Sequence, residues 1–298
     1  MNQTYPKDHG SQKMKGGVPM TIKEAITLFG YHQRSSLKTR TVQSYHSLLQ
    51  RFEDQFAERS FDSIKSDEIY QFLEALIENL SKATRHLRYA QLKAFYNFLI
   101  EKSNLNMRNL CNAPLLSKAF KTPKQVARRI LDREIVEELI YNTKTLRDRL
   151  IIELQARCGL RIGESLQIKV SDVSDRKLIL RGPKSGRESE VAFMPEQIAK
   201  RLHDYIKQES FSPEDQIFPI CYSTARALIR RLGARLNVAL TPHDLRRYSA
   251  TYASRNGVPL EIVSKVILRH QDLKTTQAYL GRVTDSEAIH WMDVLHGR

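Results

Sequence analysis

Between residues 241 and 280 the chain places His243, Arg246, His270 and Tyr279, four side chains that can each act on a phosphate. A guanidinium grips two non-bridging phosphate oxygens in a fork. An imidazole can hydrogen-bond the phosphate or shuttle a proton. A phenol becomes a nucleophile once a base takes its proton. Thr241 as N-cap and Pro242 at the first position predict a helix here, with Gly257 after its end. His243 and Arg246 then share a face of its first turn, where unpaired N–H groups and the macrodipole favour an anion. Each residue also has an ordinary explanation: a capping-region histidine, a paired arginine, a tyrosine packing its ring.

Two further candidates lie upstream. Arg161 sits in Gly-Leu-Arg-Ile-Gly-Glu at 159–164, a charged side chain in an otherwise apolar and small-residue segment. It fits either a second phosphate-gripping arginine or a structural Arg161–Glu164 pair at a helix start. Lys184, followed by Ser185, Gly186 and Arg187, lies in a presumed hairpin turn. A lysine there can reach a site and protonate a leaving oxygen, although lysines on turns are commonplace.

The elements that must position these groups divide in two. Apolar residues recur at helical spacing in Ile22, Ala25, Ile26 and Phe29 and again in Tyr45, Leu48, Leu49 and Phe52. Ser66 and Ser81 suit the starts of two further helices, one through Ile69, Phe72 and Leu73, the other through Leu92, Phe95 and Leu99. A helical bundle over 21–110 is expected, preceded by a flexible tail at 1–20. The segment 111–130 reads as a basic linker, interrupted by Asn112, Pro114 and Pro123. Beyond it, 131–298 is mixed: helices at 132–141, 146–158, 195–208 and 223–237, with short strands at 178–181 and 190–193. The fold class expected is mainly α with a small β-sheet.

The 298 residues carry 48 basic and 33 acidic side chains, a net charge of +15. Such a balance favours a polyanion, because each neutralised phosphate releases condensed counterions. The smaller segment 21–130 carries +8 and 131–298 only +5. Arg34, Lys38, Arg40, Lys82, Arg85 and Arg88 on the bundle, with Lys121, Lys124, Arg128 and Arg129 in the linker, are the candidate DNA contacts. A solubilising surface is the alternative. No apolar run approaches the roughly 20 residues that span a bilayer, and no secretory leader is evident. Cys111, Cys158 and Cys221 lack metal-ligand spacing and read as buried thiols in a reducing cytoplasm.

Taken together, Gly-Leu-Arg-Ile-Gly-Glu (159–164), Pro-Lys-Ser-Gly-Arg (183–187), Thr-Pro-His-Asp-Leu-Arg (241–246), Leu-Arg-His (268–270) and Thr-Thr-Gln-Ala-Tyr (275–279) resemble the tyrosine recombinases, the phage-integrase family. The resemblance covers essentially 130–298, and the helical 21–105 segment looks like the family's core-binding domain. It implies a SAM-like helical bundle plus an α+β catalytic domain, closing as a C-shaped clamp on double-stranded DNA. Tyr279 would attack the scissile phosphate to give a 3′-phosphotyrosyl link. Arg161, Arg246 and His270 would hold the transition state, Lys184 would protonate the leaving 5′-oxygen, and His243 would assist proton transfer at the tyrosine. Arg187 is the fallback for Lys184. No metal, ATP or other cofactor is implied.

The resemblance also implies a homotetramer on two duplexes, with the helical tail 283–298 packing on a neighbouring protomer; docking on its own domain is the alternative. Two residues depart from the pattern: Arg247, where many relatives have histidine, and Arg269, where glycine is common. They tilt the reading toward a mobile-element integrase over a Xer-like dimer resolvase. A separate arm-site-binding domain has no room ahead of the first helix. The 58 residues between Lys184 and His243 are too few for the integron-type insertion. A type IB topoisomerase-like relaxing enzyme and a catalytically inactive DNA-organising protein are the remaining alternatives.

Overall fold

A computed structural model describes residues 20–37, 39–78, 80–103, 107–122, 130–182, 188–277, 280 and 285–296. The chain divides into two compact units, 1–125 and 126–298.

The first unit is helical: α1 (Ile22–Ser36), α2 (Thr39–Phe56), α3 (Ser66–Ile77), α4 (Lys82–Ser103) and the short α5 (Pro114–Ala119). Thr21 and Glu24 form a reciprocal cap at the start of α1, the Thr21 N–H donating to the Glu24 carboxylate at 2.9 Å. Apolar residues at helical spacing on α2, α3 and α4 converge on an aromatic centre. There Phe52 meets Phe72 edge-on at 5.0 Å and Phe95 at 6.4 Å.

The segment expected to be linker starts as part of this unit. Asn109 donates to the Lys93 carbonyl at 2.9 Å and accepts from the Cys111 N–H at 2.8 Å. The Tyr89 hydroxyl donates to the Cys111 carbonyl at 2.7 Å. Pro114 opens α5, and Cys111, Leu116 and Phe120 are buried in the aromatic core. Asparagines and a proline that break a helical pattern are here the cap and first position of new turns.

In the second unit α6 (Arg133–Tyr141), α7 (Leu146–Ala156) and α8 (Ile162–Ser165) precede an antiparallel sheet of β1 (Val173–Ser174), β2 (Lys177–Arg181) and β3 (Ser189–Phe193) in that order. The helices α9 (Glu196–Gln208), α10 (Tyr222–Arg235), α11 (Pro242–Arg255) and α12 (Leu260–Ile262) follow. A π-helical turn (Val263–Ile267), α13 (Leu273–Gln277) and α14 (Asp285–His296) complete it. The strand β1, two residues long, was not expected from the sequence. Helix α7 is buried from Leu150 to Ala156, including Glu153, which Arg201 bonds at 2.8 Å and 3.1 Å. On β2 and β3 the alternation turns Leu178, Leu180, Glu190 and Ala192 inward and leaves Ile179, Val191 and Phe193 exposed.

Two thiols match the sequence expectation, Cys111 and Cys158 being buried. Cys221 does not: it is exposed at the N-cap of α10, its Sγ 3.0 Å from Ser223 Oγ and 3.1 Å from Thr224 Oγ1.

Candidate active site

After α7 the chain reverses at Gly159, whose φ of +65° is in the left-handed region. A Cβ there would stand 2.7 Å from the Ile267 carbonyl oxygen, so only glycine lets the turn after α7 pass this close to the π-helical turn. That crossing assembles the site. It places the carbonyls of Gly159 and Leu268 where a single guanidinium bonds both.

The guanidinium is that of Arg246. It donates through Nη1 to Gly159 O and through Nη2 to Leu268 O, and only 1% of the residue is exposed. His243, three residues earlier on α11, is exposed. The two therefore sit at different depths: the helix start is at the surface and its first turn runs into the core. The Thr241 N–H donates to the Asp244 carboxylate at 2.9 Å, fixing that start.

Arg161 is the N-cap of α8, and its guanidinium bonds Glu164, whose carboxylate also accepts the Arg161 N–H at 2.8 Å. The pair at the helix start is thus present, and it does not stand alone. Glu164 accepts from Arg269 at 2.8 Å and lies 3.8 Å from Arg246 Nη1. Burial opposes its ionisation, but Arg269, then Arg161 and Arg246, outweigh burial and hold the carboxyl below the usual carboxylate range. Three guanidiniums around one carboxylate leave a local excess of positive charge, which suits an entering phosphate.

His270 is buried beside them. Its Nδ1 lies 2.9 Å from Thr276 Oγ1, whose hydroxyl is 2.8 Å from Ser264 Oγ, and its backbone N–H donates to Ser264 O at 2.9 Å. Burial first, then the charges of Arg246, Arg161, Arg269 and His243, push its pKa down to about 4. The free site therefore holds a neutral imidazole at pH 7. Thr276 donates its hydroxyl proton to Ser264 and so accepts from the ring's Nδ1–H, which leaves Nε2 an acceptor in the free site. The negative charge of a phosphate favours its protonation.

The structure brings Arg161 and Arg246 together at Glu164, with His270 near enough to feel the charge of both and His243 exposed on α11. Lys184, Arg187 and Tyr279 lie outside the described residues, as do Lys38, Lys124, Arg128, Arg129 and the side chain of Arg34. The sequence left Glu190, Ser264 and Thr276 without a role. Thr276 stood inside a quoted motif, and an inward-facing glutamate on an apolar strand was the available signal for Glu190.

Among the candidate DNA contacts, Arg40, Lys82 and Lys121 are exposed. Arg40 lines a cleft of about 380 Å³ with Thr41, Ser44, Tyr45, Leu87 and Gln91. Arg85 instead donates to the Leu80 and Glu78 carbonyls, at 3.1 Å and 3.2 Å. Arg88 donates to the Ser44 carbonyl at 2.8 Å and to Gln91 at 3.2 Å. Both arginines join neighbouring segments of the bundle.

The described residues thus form a helical bundle and an α+β unit in which Arg161, Arg246 and Arg269 meet at one carboxylate. Residues 129–285 match the phage integrase family, and residues 30–103 match the N-terminal SAM-like domain of phage integrases. The chain belongs to the phage integrase family. Among curated relatives, the tyrosine recombinase XerA of Saccharolobus solfataricus is 27% identical over 251 residues, 82% of this chain and 83% of XerA. The tyrosine recombinase XerD of Proteus mirabilis is 25% identical over 268 residues, 84% and 85% of the two chains. In fold, the Tn1549 transposon integrase bound to transposon right-end DNA superposes with a TM-score of 0.72 at 18% identity, covering 93% of this chain and 99% of that one. Among the described residues no helix is long and apolar enough to cross a membrane.

Proposed function

We propose that this chain is a site-specific DNA recombinase that cuts and rejoins double-stranded DNA through Tyr279. The Tyr279 hydroxyl attacks phosphorus, a P–O bond to tyrosine forms, and the P–O5′ bond breaks. His243 assists removal of the phenolic proton, and Lys184 supplies the proton taken by the leaving 5′-oxygen. Arg161, Arg246 and His270 stabilise charge on the non-bridging oxygens of the pentavalent transition state. Rejoining is the reverse, with a 5′-hydroxyl of the partner strand as nucleophile, so the phosphodiester energy is conserved in the covalent link. The observation that supports this reading is the meeting of Arg161 and Arg246 at Glu164, with His270 within reach of their charge. Of the candidate DNA contacts, Arg40, Lys82 and Lys121 are those with exposed positions on the bundle.

The product is integration or excision of a mobile element. A second reading, a Xer-like resolvase of chromosome or plasmid dimers, is favoured by the XerA and XerD relatives. Either acts in the cytoplasm as a homotetramer on two duplexes. Helix α14 supports the assembly, since Ile289, Met292 and Val294 are exposed along it. Trp291 by contrast covers Gly257, where a Cβ would meet the indole at 3.0 Å, so α14 also touches its own unit.

A nicked suicide duplex tests the chemistry. Wild-type protein should accumulate a covalent adduct and Tyr279→Phe none; an adduct in the variant removes Tyr279 from the nucleophile role. Sequencing the captured ends separates the two biological readings. Deleting 283–298 should weaken recombination more than single-duplex binding, and equal losses would make the tail merely structural.

A further inference from the structure

Arg269 holds a position that ordinarily needs glycine. Its φ is +52°, in the left-handed region, where a Cβ is disfavoured. Its side chain is nonetheless 4% exposed and tightly engaged. It donates to the Ile267 carbonyl at 2.8 Å, to the Gly159 carbonyl at 3.2 Å and to Glu164 at 2.8 Å. Its Nε lies 3.6 Å from Glu190 Oε2 on β3, and those two atoms are both buried without a hydrogen-bond partner. Glu190 points inward among Leu178, Leu180 and Ala192, and among the described residues its one ion pair is with Arg269. A glycine at 269 would relax the backbone but strand a buried carboxylate, which is costly.

We propose that Arg269 is a positioning residue that fastens three segments together: the α8 N-cap bearing Arg161, the turn bearing His270, and β3. The proposal rests on the recombinase reading above. Arg269 reaches the first segment through Glu164 and Gly159, the second through its own backbone, and the third through Glu190. Glu190 follows Lys184 by six residues in sequence, and a loosened β3 is expected to be felt at the leaving-group proton. The Glu164 link bears on the phosphate grip.

The test is single-turnover cleavage by the full chain on two suicide duplexes. One has the normal 5′-oxygen at the scissile bond, and the other has sulfur in its place. A thiolate leaves without a proton, its conjugate acid being far stronger than an alcohol, so sulfur bypasses the leaving-group acid. Glu190→Gln preserves shape and should slow the oxygen substrate by about ten- to a hundred-fold, the scale of a small misplacement. The sulfur substrate should be restored to near the wild-type rate. Arg269→Gly, which suits the backbone, should be slowed on both and only partly restored by sulfur. The double variant should lose no more than Arg269→Gly alone, because both act through one link. Melting and duplex binding, followed in parallel, separate misplacement from misfolding.

Equal defects of Glu190→Gln on both substrates, or additive losses in the double variant, would overturn the proposal. Lys184→Ala serves as the control. If sulfur does not restore it, the leaving-group role in the recombinase reading fails, and the non-additivity of Arg269→Gly with Glu190→Gln still judges the link.

Discussion

The two units of this chain keep charge in opposite places. Among the described residues of the first unit the buried polar side chains are Gln33, Gln91 and Asn109, all uncharged, and the core is aromatic. The second unit buries Asp148, Glu153, Asp172, Glu190, Arg246, Arg247, Arg269 and His270. Buried charge is a poor way to gain stability, since desolvation offsets most of the attraction. Part of it, Arg246 and Arg269, meets at Glu164 beside His270, where stability is exchanged for a positively charged, preorganised site. The first unit holds its helices with rings. Its basic residues include exposed ones, like Arg40, and ones that join segments, like Arg88.

The contrast breaks most sharply with one truncation in each core. Arg246→Ala removes a guanidinium from the phosphate site and orphans the Leu268 carbonyl, while the Gly159 carbonyl keeps Arg269. Strand cleavage should fall about 10²- to 10³-fold, the loss typical of one transition-state donor. The orphaned carbonyl should cost about 1–3 kcal/mol of stability. Phe52→Ala should do the reverse, costing about 3–5 kcal/mol through the cavity it opens. Its cleavage per folded molecule should be unchanged at low temperature and saturating DNA. Denaturant melts and single-turnover cleavage read both variants. A Phe52→Ala enzyme that stays folded but cleaves slowly would erase the distinction.

How much of this was legible beforehand follows the same divide. Local periodicity was enough for Phe52, Phe72 and Phe95, because a helix's inner face is set by residues three and four apart. Residue types and order nominate Arg161, Arg246 and His270 as site residues. Their depth was not legible: Arg246 is buried because carbonyls 87 and 22 residues away in sequence meet it. The strand hairpin misleads in another way. Ile179, Val191 and Phe193 are apolar yet exposed, while Glu190 faces in, so hydrophobicity cannot say which face is inner.

Acid sharpens the comparison with a smaller effect. The ordinary histidine pKa is 6.5, and His270 in the folded site is held near 4. Below about pH 6.5 the unfolded chain binds a proton that the folded site refuses, so folding stability falls as pH drops from 6.5 through 4. Glu164, itself held below the carboxylate range, adds to the loss at the acid end of that window. The groups acting on His270 are Arg161, Arg246, Arg269 and His243. Hydrogen exchange should show second-unit protection falling between pH 6.5 and 5 while the Phe52 core is unaffected. His270→Gln should remove that slope. An unchanged slope in the variant would assign it to another group.

The smallest expected effect belongs to the first unit's surface. Arg40 lies at the exposed start of α2, on the rim of the cleft it shares with Ser44 and Gln91. If it meets a phosphate, Arg40→Ala removes one counterion-releasing contact. Affinity for the site should then weaken by a similar factor on every sequence, and the slope of log affinity against log salt should shrink by about 1. Arg88→Ala, whose guanidinium is spent on Ser44 and Gln91, should instead lower the melting temperature and leave the salt slope nearly intact. Titrations of one duplex at several salt concentrations distinguish the two. A salt slope that responds to Arg88 and not to Arg40 would mean that the bundle meets DNA through a different face, and that internal bonds do not keep its arginines from phosphate.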